Sequence, residues 1–168
     1  MLIDAEKKQD LFHKYEGIKK YVRVPGSWNS YLNKDGNPEG SGTYRIIIKV
    51  PKDGVYGIRT KTIRVANRIF LNGEEVIHSG NPSLDRREFI PESKYKIAFI
   101  PSVNGEIELV VQVSSYSYHT GGIIKDIEFG TFHSIMDQNN KERAIDLFIV
   151  SICLLISVCF SILFFQKK

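Results

Sequence analysis

The stretch Ser114-Ser115-Tyr116-Ser117-Tyr118-His119-Thr120 gathers hydroxyls, phenol rings and an imidazole within one short span. Such rings stack on the apolar faces of a bound molecule, and the hydroxyls and imidazole exchange hydrogen bonds with its polar groups. The span follows a strong strand pattern directly, which makes it a surface loop on a rigid support and the leading candidate for ligand contact. A second aromatic group, Trp28 with Tyr31, lies in the turn-rich segment Pro25-Gly26-Ser27-Trp28-Asn29-Ser30-Tyr31. There the rings either stack against a sugar or plug the end of a β-sandwich, and a lone tryptophan in a small β-domain more commonly serves the core. Arg87 adds a guanidinium for anionic or hydroxyl groups. Trp28, Tyr31, Arg87, Tyr116, Tyr118 and His119 together form the candidate binding set.

Other chemistry-bearing residues fit catalysis poorly. Gly40-Ser41-Gly42 would suit a phosphate loop only if a helix began directly after it, and a strand pattern follows instead. His13, His78, His119 and His133 are scattered without ligand spacing, so no metal site is expected. Glu74-Glu75 and the Asp85/Glu88 pair resemble glycosidase carboxylates in type alone, and solvated turns account for them. No nucleophile is matched with a base. The expectation is a non-enzyme without cofactor.

The elements that must position the candidates read as antiparallel strands. In Thr43–Val50, Tyr44, Ile46, Ile48 and Val50 alternate with Thr43, Arg45 and Lys49; in Glu106–Val113, Ile107, Leu109, Val111 and Val113 alternate with Glu106, Glu108 and Gln112. Ile63–Leu71, Asn72-Gly73 and Glu74–His78 spell a hairpin. Further strands are expected at Ile18–Val24, Tyr95–Ile100 and Ile123–Phe129, giving an all-β antiparallel sandwich.

The run Leu147–Phe165 contains no charge, proline or glycine. At 1.5 Å per residue it spans about 28 Å, matching a bilayer core of roughly 30 Å. A single C-terminal transmembrane helix is expected, with the lipid bilayer as its partner. Lys141 and Arg143 precede the run and Lys167 and Lys168 follow it, so charge alone leaves its direction open. Both cysteines, Cys153 and Cys159, fall inside it. The formal charge of +4 is spread without a basic run, which argues against nucleic acid as a partner. Met1–Lys20 shows no export-signal pattern. The expected organisation is an N-terminal extension (1–17), the sandwich (18–133), a polar connector (134–143) and the transmembrane helix with a short basic tail (144–168).

The ordered series Val24-Pro25-Gly26-Ser27-Trp28, Gly42-Thr43-Tyr44-Arg45, Phe70-Leu71-Asn72-Gly73, Gln112-Val113-Ser114, Gly121-Gly122-Ile123 and Phe129-Gly130, followed by Ala144-Ile145-Asp146-Leu147-Phe148, resembles one bacterial family. It is similar to the extracellular domain and first membrane helix of seven-transmembrane receptors with diverse intracellular signalling modules. The resemblance implies a jelly-roll sandwich like the galactose-binding domains, placed outside the cell with the C-terminus cytoplasmic. It also implies a carbohydrate-like ligand and a role in signal transduction. Against that family the sequence shows one helix and no output module, which reads as a truncated receptor or as a subunit working with other membrane receptor subunits. The alternative is a structural or interaction subunit that docks on another membrane protein without its own ligand, through exposed strand edges or the face bearing Val110.

Overall fold

The computed structural model describes residues 21–29, 37–61, 65–92, 94–102 and 105–166. Seven strands are present among them: β1 (Gly40–Lys49), β2 (Gly54–Thr60), β3 (Ala66–Leu71), β4 (Glu74–Ser79), β5 (Lys96–Ser102), β6 (Glu106–Ser115) and β7 (Ile127–Thr131). They form two antiparallel sheets, one in the order β1-β6-β3-β4 and the other β5-β2-β7. Apart from the β3–β4 hairpin, successive strands alternate between the sheets, as a jelly-roll sandwich requires. One long helix, α1 (Phe132–Gln166), completes the chain as a separate compact unit.

The core follows from period-two alternation. Tyr44 of β1, Ile107, Leu109, Val111 and Val113 of β6, Ile69 and Leu71 of β3 and Ile77 of β4 belong to one buried cluster with Tyr56, Ile58, Ala98 and Ile100 of the second sheet. Burying one such aliphatic side chain contributes about 2 kcal/mol. The Asn72-Gly73 turn adopts positive φ at both residues, 51° and 82°, which only this type of pair accepts without strain.

Three expectations need correction. The segment Tyr21–Val24 forms no strand, while residues 18–20 lie outside the described residues. Tyr21 and Val24 face water at 85% and 44% exposure, and Val22 alone packs against the core, so the segment contributes one side chain rather than an alternating strand. The missing strand is β2, whose residues Tyr56 to Thr60 are buried on both sides because β2 is the middle strand of its sheet. Two glycines in its seven residues, Gly54 and Gly57, weaken the pattern that would announce it. Even Arg59 is fully buried there, its charge met by Glu128 across the β2–β7 pair and its guanidinium 5.9 Å from the Tyr95 ring centre. The third correction concerns the polar connector: residues 132–143 are helical, and α1 starts at Phe132 rather than near Ala144. Polar residues without glycine or proline extend a helix as readily as they make a loop.

α1 is long and apolar enough to cross a membrane once, and none of its most apolar window is buried within the chain. Its hydroxyls are already satisfied for a lipid setting. Ser151 Oγ donates to the Leu147 carbonyl oxygen at 2.8 Å and Ser161 Oγ to that of Ser157 at 2.9 Å, so neither hydroxyl needs water.

Candidate functional site

The sandwich end at which β6 finishes is built from three loop segments tied by hydrogen bonds. Gly26 N donates to the Ile123 carbonyl oxygen at 2.7 Å and Trp28 N to that of Gly121 at 3.0 Å, so the 26–28 segment lies along the chain between β6 and β7. Asn29 clamps the same loop from both sides: its Nδ2 donates to the His119 carbonyl oxygen at 2.9 Å and its Oδ1 accepts from Gly121 N at 3.1 Å. These bonds hold the backbone on both sides of Thr120 and leave the exposed His119 imidazole out of the scaffold.

Trp28 is not a surface residue. It is fully buried, stacks nearly parallel to Tyr44 with ring centres 6.4 Å apart, and donates from Nε1 to the Pro38 carbonyl oxygen at 2.9 Å. It plugs the sandwich and leaves the contact set. Gly121 permits this, because a Cβ there would overlap the indole at Nε1 and Cε2 and the Pro38 carbonyl oxygen. Tyr31 lies outside the described residues.

Tyr116 braces the site. Its hydroxyl donates to the Leu84 carbonyl oxygen at 3.0 Å and lies 3.3 Å from Ser41 Oγ, while its ring meets Phe89 edge-on at 5.3 Å. Through these contacts the β4–β5 loop is fastened to the end of β6. Ser41 Oγ extends the joint, donating to the Ser83 carbonyl oxygen at 2.9 Å and lying 2.8 Å from Ser114 Oγ. Arg87 stands on this fastened loop with its side chain 89% exposed, but its fork is engaged by Asp85, from Nη2 at 2.8 Å and from Nε at 3.2 Å to each carboxylate oxygen. The Arg87 side chain, with its backbone N–H, holds the Asp85 carboxyl below its ordinary pKa, and Asp85 in turn raises that of Arg87.

Tyr118, 39% exposed, and His119 are therefore the rings presented to solvent on a braced loop. The structure joins Tyr116 to the Leu84–Phe89 turn, assigns Trp28 to the core, and leaves Tyr118 and His119 as the open groups. The arrangement offers an aromatic face for stacking and an imidazole for hydrogen bonding. Asn29, Ser41, Phe89 and Gly121, which build the loop, were not among the expected site residues. For Gly121 the signal was the Gly121-Gly122 pair itself.

Two carboxylates near this end are tied into hydrogen bonds. Glu92 is held down to about 2, first by the Lys94 ammonium, then by the Gly80 backbone N–H at 3.0 Å. Glu88 accepts from Ser83 Oγ at 3.1 Å. Among the described residues no group of three or more His, Cys, Asp or Glu side chains is arranged to hold a metal ion.

No family model matches the chain, and no curated protein matches it either. Solved structures similar in fold include a GH2 β-galacturonidase from Eisenbergiella tayi bound to galacturonate, 14% identical over 68% of this chain with TM-score 0.49. Another is an FMN-binding β-glucuronidase from Facaelibacterium prausnitzii L2-6, 17% identical over 68% of this chain with TM-score 0.46. The matches cover 22% and 19% of those two chains, so this chain corresponds to about a fifth of their length.

Proposed function

We propose that the chain is a membrane-tethered recognition module of the receptor type that its motif series resembles. The sandwich faces the cell exterior, binds a small carbohydrate-like molecule and takes part in signal transduction together with other membrane subunits. The observation that carries this reading is the braced loop: Tyr118 and His119 are presented on a backbone fixed by Asn29, in a chain that also holds a helix fit for a bilayer. A binding role is favoured over a catalytic one because the sequence matches no nucleophile with a base.

The test is calorimetric titration of the full-length protein in lipid nanodiscs with neutral and acidic mono- and oligosaccharides. Stacking on Tyr118 is worth up to about 1.5 kcal/mol, so Tyr118→Ala is expected to weaken binding roughly tenfold. Silence across the panel, or an unchanged affinity in Tyr118→Ala, would contradict the reading.

A docking subunit is the second reading, supported by Ile46 and Ile47, which are 48% and 47% exposed on β1 at the end of the four-stranded sheet. Exposed apolar residues on an end strand invite pairing with a partner strand. Crosslinking from Ile46→Cys in native membranes is expected to trap one recurrent partner if docking is the role, and only uncrosslinked chain if it is not.

A further inference from the structure

The four-stranded sheet has a second face, turned away from the core cluster. Cross-strand register places Thr43, Gln112, Arg68 and His78 in one row on it, running from β1 through β6 and β3 to β4. The next row carries Arg45, Val110, Phe70 and Glu75. Adjacent rows lie about 7 Å apart and adjacent strands about 4.8 Å. Gln112 and Val110, on the central strand β6, are 2% and 7% exposed, whereas His78 toward the sheet end keeps 48% of its side chain open.

Two of the basic groups on this face have acidic partners. Arg45 meets Glu108 from Nε and Nη2 at 2.5 Å, and His78 Nδ1 lies 3.1 Å from Glu75. Arg68, in the middle of the row, makes no hydrogen bond or ion pair from its guanidinium among the described residues, and its Nε is sealed from solvent without an acceptor. A shielded donor on a permanently charged group is costly unless something accepts from it.

We propose that Arg68 anchors a second binding site on this face, for a hydroxylated molecule that presents a carboxylate to the guanidinium. A carboxylate matches the planar fork in shape. The half-buried Phe70 ring, two residues along the same strand face, supplies an apolar surface for a sugar-like ring, and Thr43 and His78 supply polar neighbours. This site is separate from the Tyr118–His119 loop and stands whether or not that loop binds a ligand.

The test is titration of the full-length protein in zwitterionic nanodiscs with sodium glucuronate, with glucose and acetate as controls. Glucuronate is expected to bind at least tenfold more tightly than either control, and to raise the thermal midpoint of the sandwich. Arg68→Gln is expected to lose at least tenfold in glucuronate affinity, with Arg68→Lys intermediate, while a Tyr118→Ala/His119→Ala double variant keeps wild-type affinity for it. Unchanged glucuronate affinity in Arg68→Gln, or loss of binding only in the loop variant, would overturn the proposal. So would a wild-type protein that binds neither glucuronate nor acetate at millimolar concentration. Arg68→Met, whose unfolding midpoint reports directly on whether the variant is folded, separates loss of the anion contact from loss of structure.

Discussion

Replacing Gly121 by alanine perturbs the joint between the core and the candidate loop at a single atom. The new Cβ would overlap the indole of Trp28 and the Pro38 carbonyl oxygen, neither of which is the far end of a flexible side chain. Trp28 is wedged against Tyr44 and tied through Nε1 to that same carbonyl, so relief requires moving the indole or the backbone of the 121 loop. Overpacking of a tight core costs about 3 kcal/mol at its upper end, and loss of the Nε1 hydrogen bond adds about 1 kcal/mol. A total near 4 kcal/mol is a large share of the roughly 5–15 kcal/mol that holds a domain folded. The assay is urea unfolding of the full-length chain in micelles, followed by the fluorescence of Trp28, the only tryptophan. At a slope of about 2 kcal/mol per molar, the midpoint is expected to fall by roughly 2 M. Gly73→Ala is the control: nothing lies within 4 Å of its Cβ position, so only the strain of its positive φ remains, worth about 1 kcal/mol. A Gly121→Ala midpoint within the Gly73→Ala range would refute the packing argument.

Further expectations follow from the charges and the helix. Glu92 has its folded-state pKa lowered from 4.5 to about 2, so its contribution to stability is complete above pH 4.5 and is lost as pH falls toward 2. In acid titrations, Glu92→Gln should therefore be less stable than wild type at neutral pH, with the gap closing across that window; a gap independent of pH would contradict the assignment. Arg68→Met removes an unsatisfied shielded donor and is expected to raise stability by about 1 kcal/mol in the absence of any anion, measured by urea midpoint. Leu155→Arg places a charge in the middle of the apolar run at a cost of about 3 kcal/mol, and should shift the protein from the carbonate-resistant membrane pellet toward the extractable fraction.

The strands that were legible in the sequence are those whose residue types alternate. β1 and β6 do so, although β6 is buried on both faces, and the Asn72-Gly73 turn announces its hairpin through residue types that accept positive φ. β2 escaped because Gly54 and Gly57 interrupt a seven-residue run and Arg59 lies buried within it. Trp28 was readable as a core plug from its uniqueness, yet its place in a turn-rich segment equally suited a ligand contact; the Pro38 hydrogen bond and the Tyr44 stack resolve the choice. The early start of α1 was hidden by polar residues, although the lack of proline and glycine from Phe132 onward allowed it. Arg68 could have been placed opposite Ile69 and Leu71 by alternation alone. What could not be read was that its neighbours across the sheet supply no counter-charge, since that depends on register.

The proposed function requires the sandwich to be held at the outer surface of a membrane by α1. Labelling of intact cells with a membrane-impermeant maleimide tests it most directly, using single-cysteine variants on a Cys153→Ala/Cys159→Ala background. Lys125→Cys, on the exposed loop before β7, should react in intact cells, and Gln166→Cys, at the end of α1, should react only after permeabilisation. Equal labelling of both positions in intact cells, or recovery of the protein in the aqueous fraction without detergent, would contradict it.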